Sequence, residues 1–329
     1  MALTLVEAAK YSNDILQVGV IEKLVYQDPI LEKLQFKDIK GNGLTYNVEA
    51  TLSGAGFYAV GDTWVESTSA VDQATAVTTI LGGDADVDNF LRATRSDVQD
   101  LMGEQITAKI KAIKKKFMEM FYYGYLAVDA KGFTGLHGLI YSTVATYPNT
   151  VTDGATGNPG STFSMTQLEK AIDWVKSGAP SLIMMSKNMR RLINKYLRGV
   201  GGLTYQDAAQ GRIQELFGIP VGVSDYISDT EDCTKDYGPA AGANEFGHDY
   251  TMGTPYTASV GTSIFVLQFA PDAVCGIQSM PITVDQIGKL ETKDAERVRI
   301  KWYPGLMLQN IITSSKVTGI DAVTQTVAA

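Results

Sequence analysis

Asp84, Asp86 and Asp88 stand at alternate positions, the spacing with which a calcium-binding loop opens. Such a loop needs a glycine for its sharp turn and closes on a bidentate glutamate. Here Asn89 and Arg95 hold those two places. The three acids therefore read as residues favouring the positive N-terminal end of a helix that follows. Gly54-Ala55-Gly56, with Ala59, has part of a dinucleotide-binding fingerprint. That fingerprint works only where a helix starts and turns its amides toward the pyrophosphate. Val60-Gly61-Asp62-Thr63-Trp64 follows instead, which is turn and strand, so the glycines read as a flexible hairpin tip. His137 and His248 lie in glycine-rich stretches without a second ligand four residues on, which disfavours zinc. Cys233 and Cys275 are the only cysteines and form no CxxC pair, so a disulfide framework and a cysteine-rich zinc site are excluded. Neither a G-x-S-x-G elbow nor a phosphate-binding Walker loop occurs. No catalytic residue, metal ligand or cofactor is assigned, and an enzyme is not expected.

Three patterns remain that suit contact better than reaction. Phe57, Tyr58 and Trp64 gather around the hairpin tip, and exposed apolar clusters mark contact surfaces. A tip folded back onto the chain's own core is the alternative. Arg297 and Arg299 alternate on one strand face and suit ion pairs with acidic neighbours, here expected on another subunit. Lys109, Lys111, Lys115 and Lys116 lie off the apolar stripe of a helix and read as its solvated face. A weak contact with packaged DNA is the second reading of those lysines.

The 329 residues are 45% hydrophobic and 19% charged, enough apolar material for a real core and too little charge for a disordered chain. A net charge of −8 argues against a protein whose main work is gripping phosphates. It leaves room for a container whose walls must not stick to DNA. No apolar run is long enough to cross a bilayer, and residues Met1 to Lys10 lack the layout of a secretory signal.

The elements follow in order. Thr4 to about Gln27 has helical spacing and stops at Asp28-Pro29. Leu44 to Ala50 is a strand, with Thr63–Ser67 and Ala76–Ile80 as returning strands of a long hairpin. A two-stranded hairpin alone is marginally stable and needs a surface to lie on. Asn89 to Gly124 predicts one long helix, roughly 50 Å at ~1.5 Å per residue. Its stripe is Val98, Met102, Ile106, Ile110, Ile113, Phe117, Met120 and Phe121. Gly132–Leu139 reads as turn and strand, and Thr146–Ser161 as a loop. An α/β pattern follows: helix Met165–Lys176 capped by Ser164, a buried strand Pro180–Met185, helix Lys187–Leu197 capped by Ser186, helix Gln210–Phe217, and strand Ile219–Val223. Ser228–Gly261 reads as a long exposed loop. Strands resume at Thr262–Phe269, Ala273–Val284 and Arg297–Trp302, with Leu306–Val317 after a Pro304-Gly305 turn.

This order of parts resembles the Hong Kong 97-type fold of tailed-bacteriophage major capsid proteins. Asn89–Gly124 is similar to the family's spine helix. Leu182–Leu192 is similar to its strand, capping residue and helix, and Leu216-Phe217-Gly218-Ile219-Pro220-Val221 to its turn into a strand. Glu296–Tyr303 with Leu306–Val317 is similar to its closing strand pair. The likeness spans nearly the whole chain and rests on order and spacing.

The resemblance implies an α+β fold with an N-terminal arm (residues 1–35), an extended β-hairpin loop (36–81) and a peripheral domain with the spine helix (82–160). An axial domain (161–280) and return strands of the peripheral domain (281–329) complete it. It implies self-assembly into hexamers and pentamers of an icosahedral head shell around double-stranded DNA, with scaffolding and portal proteins as partners during assembly in a host bacterial cytoplasm. No membrane is implied. Some members cross-link neighbours through a lysine near the loop tip; Leu52–Ala70 has none, so no such cross-link is expected. The chain reaches the arm directly from Met1, so no cleaved scaffolding segment is expected. An encapsulin shell of the same fold, a soluble α/β enzyme using Phe163–Val223, and a tail or decoration protein are the alternatives.

Overall fold

Val298, Ile300 and Trp302 are buried on one side of a strand, while Arg297, Arg299 and Lys301 project from the other. The period of two in the sequence is thus the period of a half-covered sheet. The computed structural model describes residues 28–95, 101–124, 126, 129–140, 150–152, 163–176, 178–200, 204–208, 211–229, 231–232, 260–320 and 327–328. The predicted arm helix Thr4–Gln27, Val98, Cys233, His248 and most of the two long loops lie outside these residues.

In chain order, the elements before the α/β region are α1 (Ile30–Lys33), β1 (Phe36–Asp38), β2 (Gly43–Thr51), β3 (Ala70–Val77), β4 (Leu81–Asp88), α2 (Asn89–Arg95), α3 (Leu101–Tyr123), α4 (Leu136–Leu139) and β5 (Thr150–Thr152). There follow β6 (Phe163–Ser164), α5 (Met165–Asp173), β7 (Leu182–Met185), α6 (Lys187–Val200), β8 (Thr204–Ala208), β9 (Gly211–Leu216) and β10 (Ile219–Val223). The chain ends with β11 (Glu231–Asp232), β12 (Val260–Leu267), β13 (Val274–Lys289), β14 (Ala295–Leu308), β15 (Ser315–Ile320) and β16 (Val327–Ala328).

Two sheets carry the fold. One has four strands in the order β1-β13-β14-β4; the other has eight, in the order β5-β15-β12-β7-β10-β9-β8 with β11 beside β12. β2 pairs only with β3, as an antiparallel ribbon, and β6 pairs with β16.

Helix α3 lies on the four-stranded sheet. Ile113, Phe117, Met120 and Phe121 of its stripe are buried there, and Phe117 meets Trp302 with ring centroids 4.5 Å apart. The same core reaches one face of the eight-stranded sheet through Leu182, Met184, Phe265 and Leu267. The alternate residues of those strands, Ile183, Met185, Ile264 and Val266, face a second core built on α5 and α6. Strands buried on both sides have no polar face to alternate with, which is why β7 reads as an unbroken apolar run.

Several expectations change. Helix α3 spans 23 residues, about 34 Å; α2 precedes it, and residues 96–100 between them lie outside the described set. Gly132–Leu139 ends in the short helix α4, not a strand. Thr63–Ser67 forms no strand, and the return begins at Ala70. Gln210–Phe217 is not helical: β9 joins β10 through Phe217 and Gly218, with φ of 53° and 77°. Two successive left-handed residues twist a tight hairpin as its strands require, and the Leu216↔Ile219 pairing closes it. Pro304-Gly305 is not a turn either. β14 runs straight through both, with a register shift on β13 between Gln278 and Met280 absorbing the proline. β15 then hydrogen-bonds to β12 in the other sheet.

Candidate assembly surface

The hairpin β2–β3 is fixed at its root and bare at its tip. At the root, Ala76 packs with Cys275, Ile277 and Met307, and Leu44 and Tyr46 close over them. The Tyr46 hydroxyl donates to the Leu308 carbonyl (2.9 Å), the Thr78 amide to Asn42 (3.0 Å) and the Thr79 amide to Pro304 (2.9 Å). These contacts use the face of the four-stranded sheet opposite α3, because Cys275 and Met307 alternate with Val274, Leu306 and Leu308, which belong to the α3 core. Gly305 admits the Val77 carbonyl, where a Cβ would sit 2.6 Å away.

Beyond the root almost every residue from Leu52 to Val71 is exposed, including Phe57, Val60, Trp64 and Val65. The tip nevertheless has internal order. Tyr58 stacks on Trp64 with centroids 4.4 Å apart, and its hydroxyl accepts from the Val65 amide. Asp62 accepts from the Ala59 amide, and the Ser67 hydroxyl donates to the Gly54 carbonyl. The three aromatic residues singled out in the sequence therefore divide: Tyr58 and Trp64 brace each other, while Phe57 stands fully exposed. No helix follows Gly54-Ala55-Gly56, so that stretch has no amide cradle for a pyrophosphate.

Arg297 and Arg299 find their acidic partners in the same chain, on β4, and not across a subunit boundary. Arg299 donates through Nε and Nη2 to Asp84 (2.7 and 2.9 Å), and Arg297 likewise to Asp86 (2.7 and 2.8 Å). The antiparallel register puts Asp84 opposite Arg299 and Asp86 opposite Arg297. Lys293 adds a second cation at Asp86 (3.1 Å), and Lys301 pairs with Asp285 on β13. The hydrogen bond from Arg297 holds the Asp86 carboxyl well below the usual carboxylate range, and Arg299 lowers Asp84 in the same way. Of the supposed calcium triplet, only Asp88 serves the helix start, accepting from the Phe90 amide. Reading the alternation of Asp84 and Asp86 against that of Arg297 and Arg299 would have exposed the ladder in the sequence.

The lysines of α3 lie on its far side from the sheet. Lys111 and Lys114 are exposed; Lys109, Lys115 and Lys116 are half-buried. Lys109 is the innermost, with its chain end 3.2–3.5 Å from where a Cβ would stand on Gly83. Lys115 pairs with Glu119 at 3.7 Å.

Sequence reasoning missed two polar clusters where α3 meets the eight-stranded sheet. Asp28 accepts from the Ile30 amide (2.8 Å), the Tyr122 hydroxyl (2.9 Å) and the Ser224 hydroxyl. Burial pushes its carboxyl above the usual range, and burial raises the Tyr122 phenol as well. Nearby, Glu231 accepts from Tyr123 and Ser263, with Nε2 of the buried His137 3.5 Å away. The fully buried Lys316 donates to the His137 carbonyl at 2.7 Å. His137 stacks on Tyr123 inside this packing and faces no cleft, so it is a core histidine. Among the described residues no group of three or more His, Cys, Asp or Glu side chains is placed to hold a metal, and no helix is long and apolar enough to cross a membrane.

No family model matches the chain, and no curated protein matches it by sequence. Solved structures match over almost its full length. The SrpI encapsulin complex of Synechococcus elongatus PCC 7942 is 13% identical with a TM-score of 0.63, covering 98% of both chains. The capsid of a native gene transfer agent particle is 13% identical with a TM-score of 0.61, covering 96% of this chain and 99% of its own. The capsid of cyanophage P-SCSP1u is 12% identical with a TM-score of 0.58, covering 94% and 93%. All three are shells, and the architecture they share with this chain is the α+β Hong Kong 97-type fold.

Proposed function

We propose that this chain is a major capsid protein: it assembles as hexamers and pentamers into the icosahedral head of a tailed phage and encloses its double-stranded DNA. One observation carries the reading. A hairpin is anchored at its root by hydrogen bonds and apolar packing, yet its outer part exposes Leu52, Phe57, Val60, Trp64 and Val65. Such a ribbon gains stability only when another surface covers it. Apolar burial contributes roughly 25 cal/mol per Å², so small repeated contacts in a closed shell sum to a stable particle. Scaffolding and portal proteins belong to the same proposal, as does assembly in the host cytoplasm. No catalytic role is assigned.

An encapsulin shell is the second reading, favoured by the match to the SrpI encapsulin complex. Negative-stain imaging of the expressed chain tests the shell itself. Closed particles are expected, and their loss is expected in Trp64→Ala. Normal particles at normal yield from that variant would remove the hairpin from the contact. Nuclease-protected DNA in particles from the native source supports the phage head; an enclosed enzyme supports the encapsulin.

A further inference from the structure

From Lys40 to Arg92 the chain contains no lysine or arginine between those two residues. Within the hairpin lie four acids, Glu49, Asp62, Glu66 and Asp72, and all four are exposed. The opposite extreme sits on α3, where Lys109, Lys111, Lys114, Lys115 and Lys116 fall within a single short stretch. In a chain of net charge −8, such a segregation of sign sets up two complementary fields.

The two surfaces cannot meet within one molecule. The hairpin root packs on one face of the four-stranded sheet and α3 packs on the other, with the exposed lysines turned further away. The sheet itself separates them. Glu66 and Asp72 lie beyond the Tyr46 anchor, on the part of the ribbon that stands clear of its own body.

Building on the shell reading, we infer that the acidic hairpin of one copy docks on the lysine-bearing face of α3 in a second copy. Phe57 and Val60 supply the apolar part of this contact, and the Tyr58–Trp64 stack keeps them presented. Lys111 and Lys114, the most exposed of the five, face the hairpin carboxylates, with Lys115 beside them. The lysines thereby serve subunit pairing, and a contact with packaged DNA becomes the competing use of the same face.

Charge reversal tests the pairing. Lys111→Glu with Lys114→Glu, and separately Glu66→Lys with Asp72→Lys, should each lower particle yield by about tenfold while circular dichroism of the unassembled chain stays unchanged. All four changes together should restore yield to within about threefold of the unaltered chain. Added salt should weaken assembly of the unaltered chain and strengthen that of either double variant, since screening relieves attraction in one and repulsion in the other. Normal yield from either double variant, or no recovery in the fourfold variant, overturns the contact. Normal shells that no longer retain duplex DNA after Lys111→Glu and Lys114→Glu overturn it in favour of the DNA-facing use. If the unaltered chain forms no particles, the shell reading falls and takes this contact with it; if it forms them and the variants are indifferent, only the contact falls.

Discussion

Arg297 holds Asp86 with two parallel hydrogen bonds, Nε to Oδ1 at 2.7 Å and Nη2 to Oδ2 at 2.8 Å. One strand of the four-stranded sheet is thereby clamped to its neighbour by side chains as well as by the backbone ladder. The folded Asp86 and Asp84 carboxyls titrate below their unfolded value of about 3.9. Their contribution is complete above that value and is lost as pH falls through the folded one. Asp28, raised by burial, acts with the opposite sign, so the stability it contributes grows on acidification.

Urea unfolding of the unassembled chain should therefore show an acid-side loss of stability that begins near pH 4 and steepens below it. Asp86→Asn should flatten that slope while lowering stability at pH 7. An unchanged slope in the variant would mean that the ladder is not the acid-sensitive element.

Tyr46→Phe removes the hydroxyl that ties the hairpin root to the Leu308 carbonyl. The loss is one net hydrogen bond, about 1 kcal/mol. Amide exchange in 43–49 and 71–77 should speed about fivefold, the factor that corresponds to such an energy. Exchange in β13 and β14 should hold. Equal acceleration everywhere would place the effect on global unfolding instead of on the hairpin.

Gly124 closes α3 against the loop that leads to α4. A Cβ there would lie 2.2 Å from the Phe133 carbonyl oxygen and 2.5 Å from that of Met120. Both are backbone atoms that no rotamer change relieves, so Gly124→Ala should cost about 2–3 kcal/mol. Gly199, in α6, has open space around it. Gly199→Ala should be neutral or stabilise by up to about 1 kcal/mol. Melting temperatures of the two variants give the comparison, and a similar loss in both would contradict it.

Some of this protein was fixed by local pattern. The alternation of Val298, Ile300 and Trp302 with arginine and lysine could only be a half-buried strand, and the stripe through Ile113, Phe117 and Phe121 only a helix against a core. Ser186 was recognisable as a cap, and its hydroxyl does accept from the Met189 amide. Such features depend on neighbours a few residues away, which a single sequence displays directly.

Other features required partners distant along the chain. Pro304-Gly305 carries a strong turn signal, yet the paired strands on either side and the Val77 carbonyl over Gly305 hold it extended. Residues 211–216 carried a weak helical pattern that pairing with β8 and β10 overrode. The Asp84 and Asp86 side chains resembled a metal loop until strand register set them opposite Arg299 and Arg297. Buried Lys316 and the Asp28–Tyr122–Ser224 cluster left no local trace. Side-chain periodicity is a property of one segment; which charge meets which, and which face of a sheet a hairpin covers, is fixed only when separate segments pack and desolvate each other.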